Sequence, residues 1–293
     1  MAGIYNFKTS RLAQWAFWFA RLSIPVAILS FLLMRFGGLH PSIAIYCFAS
    51  AVCLALLSIL TSWAAFHAIW FDGQKGGSRL WGAFLRSLVV LLPALVFAYF
   101  YYSLPHFSDL STNPLEPPEF VASWQMREDA DNSLDVASLT ERERQALAYP
   151  SLKSKTYEQP VALLQLALAD ELKSKKWQLL RTEEQQGEDD SAYFEAYTRS
   201  FFTGMRSVIS IRLQPLSDEE TQVDMRSASL WGTVDFGMNA RRILSFLEDL
   251  EARVGSSEQR YELQLEEIER LRRLQMGPIP RPKPKNLTES ETG

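Results

Sequence analysis

Hydrophobic positions run almost without interruption through the first hundred residues, and only beyond them does the pattern break into the short alternations of a soluble domain. Trp15 to Phe36, Ile43 to Phe66 and Leu80 to Tyr102 are each near the ~20 residues a helix needs to cross ~30 Å of hydrocarbon. A cleaved signal peptide imitates the first stretch but gives no reason for two more. Residues 1–102 are therefore expected to form a three-helix transmembrane anchor. Pro25 and Pro93 are tolerable kinks inside it, and Trp15, Trp18, Trp63, Trp70 and Trp81 with Tyr99, Tyr101 and Tyr102 fit interfacial belts. Arg21 and Arg86, at similar depth, read as side chains that snorkel to the interface.

From Ser103 the pattern changes. Pro105, Pro114, Pro117 and Pro118 forbid a continuous helix, so residues 103–137 read as a Pro-rich, acidic strap. An α+β domain is expected over 138–254. Thr140 with Glu143 has the spacing of a capping box for a short helix reaching Leu147. Pro160 suits the first turn of a helix with Leu164, Leu168 and Leu172 on one face. Four strands follow, at Trp177 to Thr182, Ala192 to Arg199, Val208 to Leu213 and Gln222 to Ala228, with turns at Gly187 to Asp190, Gly204 and Pro215 to Glu220. Short connections predict antiparallel pairing. In the last strand Val223, Met225 and Ser227 alternate with Asp224, Arg226 and Ala228, which predicts a sheet covered by helices on one face only. Gly232 and Gly237 bracket a bend in which Asp235 is placed to cap a final helix, striped by Ile243, Phe246, Leu247 and Leu250. The expected fold is a two-layer α-β-β-β-β-α unit with an antiparallel sheet. Ser256 and Ser257 are placed to cap a separate charged helix over 255–276, striped by Tyr261, Leu265, Ile268 and Leu271. The Pro-rich segment 277–293 reads as disordered.

Charge orients the chain. Lys8 and Arg11 precede the first span and Lys75 and Arg79 lie between the second and third, whereas the loop between the first two offers only Arg35. That excess places the N-terminus in the cytoplasm and, after three spans, the domain outside. The expected location is a bacterial inner membrane with a periplasmic C-terminal domain. Residues 1–102 carry a net +6 and the remainder −10, a balance that excludes nucleic acid as a partner of the outer part. Both cysteines, Cys47 and Cys53, lie in the second span, and the domain has none.

Gln222 to Ile243 read QVDMRSASLWGTVDFGMNARRI. This resembles the signature RVDVRSASRVGxSDxGxNAxRI of the uncharacterised bacterial and plastid family termed domain of unknown function 1499. The resemblance extends upstream through TNPLEPPEF (Thr112 to Phe120), AYP (Ala148 to Pro150), Trp177 and EAYTRSFF (Glu195 to Phe202), roughly half the chain. The chain departs from the pattern at Leu230 and Trp231, and at Thr203 to Ser207, where an acidic turn is usual. The resemblance implies a fold unit and a motif; it brings no reaction.

All three histidines, His40, His67 and His106, lie in the anchor or at its edge. With no Cys there either, Cys–His and Ser–His–Asp nucleophiles and His-ligated zinc are unavailable to the domain, and GxxxxGK[ST] occurs nowhere. No cofactor or metal is expected. What remains is a polar, cationic set around the end of the last strand: Arg226, Ser227, Ser229, Asp235, Asn239, Arg241 and Arg242. Guanidinium forks near free helix N–H groups suit a phosphate or carboxylate. In the competing structural reading Asp235 caps the helix, Arg226 pairs with Asp224 or Glu195, and Asn239 ties down the bend. The leading expectation is a non-enzymatic domain binding an anionic lipid, a small anion or an envelope protein, the last through the C-terminal helix. The alternatives are a hydrolase or transferase using Asp235 with Ser229 or Asn239, and a purely structural assembly module.

Overall fold

The computed structural model describes residues 8–38, 40–183, 191–201 and 203–275. The expected turn at Gly187 to Asp190 and the expected disordered tail at 277–293 lie outside them. Three helices come first: α1 (Arg11–Phe36), α2 (Pro41–Asp72) and α3 (Gly77–Ser103). Each is long and apolar enough to cross a membrane. Where they meet, the side chains are small: Ala16 and Ala20 of α1, Ala51, Ala55 and Ser58 of α2, Ala83 and Ser87 of α3 are buried, while Leu, Phe and Trp point outward. Hydrocarbon selects this inversion of the soluble pattern, because a leucine gains little by leaving lipid and close backbone approach gains packing. Ser58 Oγ donates to the Ala16 carbonyl across the α1–α2 contact at 2.9 Å. Arg21 lies over Trp18, and Arg86 bonds its own Gly82 carbonyl and lies over Phe17, so each is anchored separately. Pro25 and Pro93 sit inside unbroken helices.

The remaining elements are β1 (Asp109–Ser111), α4 (Leu139–Ala148), β2 (Lys155–Tyr157), α5 (Val161–Ser174), β3 (Gln178–Glu183), β4 (Ala192–Arg199), β5 (Arg206–Ser217), β6 (Glu220–Ser229) and α6 (Met238–Gln275). All strand pairs are antiparallel, in the order β1-β6-β5-β4-β3, with β2 beside the other end of β6. The four expected strands are present. β1 and β2 are additional, each three residues long, too short for an alternation to register. β5 continues through Pro215, where a register shift marks an irregularity that accommodates the missing N–H. α4 begins two residues early, because Ser138 and Glu141 form the capping box in place of Thr140 and Glu143.

Helices α5 and α6 cover one face. Leu164, Leu168 and Leu172 of α5 and Ile243, Phe246 and Leu250 of α6 join Ile209, Ile211, Leu213, Val223 and Met225 in the main core. The other face, expected to be open, is covered by irregular chain from residues 112 to 135. Phe120 and Leu134 of that segment pack with Val208, Ala228 and Leu230. The charges on this face are buried and each finds partners. Arg212 donates to Asp224 at 2.7 Å, and Glu195 accepts from the backbone N–H groups of Val121, Ala122 and Ser123. A polar alternation looks the same whether its charges meet water or a backbone, so the third layer left no mark in the pattern.

α6 runs 38 residues without the expected break near Val254. A glycine inside a helix costs only about 1 kcal/mol relative to Ala. On either side of Gly255, Arg253 bonds Glu171 and Arg260 bonds Asp170, which lays the turns flanking the glycine against α5.

Candidate functional site

β6 delivers the motif to the end of the sheet and a bend hands it to α6. Gly232, Phe236 and Gly237 all have positive φ, at 90°, 54° and 73°. Phe236 is the costly one, since a Cβ crowds the carbonyl in that region. Asp235 makes the bend hold. Its carboxylate is fully buried and accepts from Gly237 N at 2.8 Å and Asn239 N at 2.7 Å, closing the first turn of α6. Burial pushes its pKa up, against the lowering effect of those backbone donors and of the Arg242 charge.

Asn239 is the hub. Its Nδ2 donates to the Ser108 carbonyl at 2.9 Å and to Ser229 Oγ at 3.1 Å, and its Oδ1 accepts from Ser227 Oγ at 2.9 Å and from Arg242 Nη1. Arg242 Nη1 also donates to Ser227 Oγ at 2.7 Å. Ser227, Ser229, Asn239 and Arg242 therefore form one network between β6 and α6, bordered by Asp235.

The structure separates Arg226 from this group. It is on the opposite face of the sheet, 1% exposed, and forks onto Asp109, with Nε at 3.1 Å from both carboxylate oxygens and Nη2 at 2.6 Å from one. Further bonds reach the carbonyls of Pro118, Leu134 and Asp135, and the Phe120 ring lies 4.5 Å from the guanidinium carbon. Neither Asp224 nor Glu195 is its partner. All three of its nitrogens bond the segment 109–135 and hold it on the sheet. Arg241 points the other way: it is exposed, and no ion pair or hydrogen bond engages it among the described residues.

Arg242, half-buried, differs from the other arginines enclosed by the domain. Arg206, Arg212 and Arg226 each contact a carboxylate within 3 Å, whereas Arg242 bonds only neutral oxygens. Burial brings its pKa down to about 10, only partly offset by the charge of Asp235. A guanidinium held this way lacks a full counter-charge. Sequence reasoning missed Tyr149. Its hydroxyl is buried with no hydrogen-bond partner among the described residues, and burial, followed by the charge of Asp235, raises its pKa. The signal was present, since Tyr149 is the centre of the AYP segment and no structural reason for it was apparent.

A membrane-spanning bundle carrying a two-faced α+β domain with a buried polar network at a strand-to-helix bend defines the class of protein. Residues 109–250 match the model of a family described as "Protein of unknown function (DUF1499)", and the domain is similar to that family from β1 through about the first third of α6. No curated protein matches the chain.

Proposed function

We propose that this membrane protein presents its domain outside the cytoplasm as a non-enzymatic receptor for an anionic group, a phosphate or carboxylate of a lipid headgroup or small solute, at Arg242. The observation that carries this reading is the half-buried Arg242 cation, whose bonds among the described residues go to the neutral oxygens Ser227 Oγ and Asn239 Oδ1. Tyr149, which feels the charge of Asp235, has a hydroxyl with no partner among the described residues, and exposed Arg241, next to Arg242 in the chain, adds longer-range attraction. Asp235 is a poor candidate for acid–base or nucleophilic work, because it has no exposed surface and its oxygens hold the N-terminal turn of α6. A second reading, an envelope protein partner, is favoured by the distal part of α6, where Leu263, Leu265, Ile268, Leu271 and Leu274 are exposed.

The test uses the full chain in nanodiscs of zwitterionic lipid, titrated with inorganic phosphate and separately with acetate at fixed ionic strength. Binding to the folded state alone stabilises by about 2.7 kcal/mol at one hundred times Kd, so a saturable rise in melting temperature is expected. Arg242→Gln abolishes it. That variant also loses two hydrogen bonds, so Arg241→Gln is the cleaner companion: it melts like the parent and binds more weakly. A parent protein with no saturable response to either anion overturns the proposal.

A further inference from the structure

The domain does not hang free of the bundle. The turn between β4 and β5 docks on the end of α1: Gly204, at φ 72°, comes so close that a Cβ there would lie 2.8 Å from the Met34 carbonyl oxygen. Arg35, in the last turn of α1, donates Nε to the Phe201 carbonyl at 2.8 Å. Its guanidinium lies between two rings, 4.9 Å from the Phe36 centroid and 5.9 Å from that of Phe201. Phe201 is thereby held beside the last turn of α1, and it is 85% exposed. An exposed phenyl ring is costly in water and at home in a membrane interface.

Arg199 lines the cleft between this turn and the α1–α2 end, together with Met34, Gly38 and the ion-paired Glu128 and Arg206. Its Nε donates to Tyr197 Oη at 2.7 Å, and neither Arg199 nor Arg35 contacts a carboxylate among the described residues. The acids nearby are already engaged: Glu128 and Asp131 both bind Arg206. Two guanidinium groups with no carboxylate contact among the described residues, one against the protruding phenyl ring and the other two residues before it in the chain, match an amphiphile with an anionic head and an apolar body.

We propose that Arg35, Arg199 and Phe201 form a contact site for an anionic phospholipid in the leaflet on the domain's side of the membrane, with the phosphate at the arginines and the acyl boundary at Phe201. The site rests on α1 being a membrane span and is independent of the Arg242 reading. Its test replaces Phe201 by the photocrosslinker p-benzoylphenylalanine in the full chain, in nanodiscs of equimolar phosphatidylglycerol and phosphatidylcholine. Adducts are identified by mass spectrometry. A basic side chain near an anionic surface favours it on the order of fivefold, so phosphatidylglycerol adducts are expected to exceed phosphatidylcholine adducts severalfold, and Arg35→Gln with Arg199→Gln to bring the ratio to near one. The same crosslinker at Leu147, 84% exposed on α4, reports reaction away from the site and is expected to capture no lipid. Absence of lipid adducts at position 201, or equal capture of both lipids by the parent, overturns the proposal. Because Arg35 also holds the turn, Arg199→Gln alone serves as the second variant, and an unchanged ratio there removes Arg199 from the site.

Discussion

Glu195 shows how a single buried charge organises the second face of the sheet. Its carboxylate accepts from three successive backbone N–H groups and from Ser123 Oγ at 2.6 Å, at the start of a 3-10 turn, Ala122–Met126. Arg181 adds a contact at 3.3 Å. Burial alone raises its pKa, but the Ser123 hydroxyl and the backbone donors together outweigh burial and hold it below the ordinary value of 4.5. With the folded pKa depressed, the stability Glu195 contributes is fully present above pH 4.5 and is lost as the pH falls through the lower folded value. Glu195→Gln places a donor among donors and is expected to cost about 1–3 kcal/mol at pH 7. It also removes one component of the acid-side loss of stability, so the variant's melting temperature falls less steeply than the parent's between pH 5 and pH 3 (about the range over which such carboxylates titrate). Parallel curves for the two proteins refute this role.

Among the elements, α6 divides into a half that makes the fold and a half that does not. Ile243, Phe246, Leu247, Leu250 and Val254 are buried in the main core, and Tyr261 is the last residue packed against it. From Leu263 to Gln275 the helix is exposed. Removing residues 263–293 is accordingly expected to leave the melting temperature of the full chain within the equivalent of about 0.5 kcal/mol, whereas removing everything after Glu248 unfolds the domain. A large loss from the shorter truncation means that the distal helix is covered in solution. The proximal half of α6, like the four long strands and the three spans, was legible because each repeats one period for long enough to bury a continuous face. The Asp235 cap was legible too, from a short acid before a glycine and an apolar stripe. What escaped was set by contacts distant in sequence. Arg226 meets Asp109 from 117 residues away, and no local pattern names that partner. β1 and β2 are strands only because the free edge of β6 receives them, and the buried network around Asn239 appeared as a set of polar residues without showing which of them touch.

At the scale of the whole molecule, the two ends of the bundle are unlike. At one end Ser10 N bonds the Lys75 carbonyl at 3.0 Å and Lys75 N bonds the Lys8 carbonyl at 3.1 Å, which gathers residues 8–10 and the α2–α3 connection. That end carries Lys8, Arg11, Lys75 and Arg79. At the other end the α1–α2 connection meets the domain: the His40 ring lies 6.0 Å from that of Trp231, and the Phe97 ring of α3 lies 6.1 Å from that of Phe236. Arg35, in the last turn of α1, is the basic residue beside that connection. Basic side chains within short flanks resist transfer across the membrane during insertion, so the end rich in Lys and Arg is expected to stay in the cytoplasm and the domain to be exported. A phosphatase reporter active only outside the cytoplasm, fused after Gln275, should then be active, and the same reporter inserted at Gln74 should be silent. Moving the excess by Lys8→Gln, Arg11→Gln, Lys75→Gln and Arg79→Gln, with two lysines added beside Arg35, is expected to raise the Gln74 signal at the expense of the C-terminal one. Activity at Gln74 in the unaltered chain reverses the orientation and places both the Arg242 network and the Phe201 contact on the cytoplasmic side.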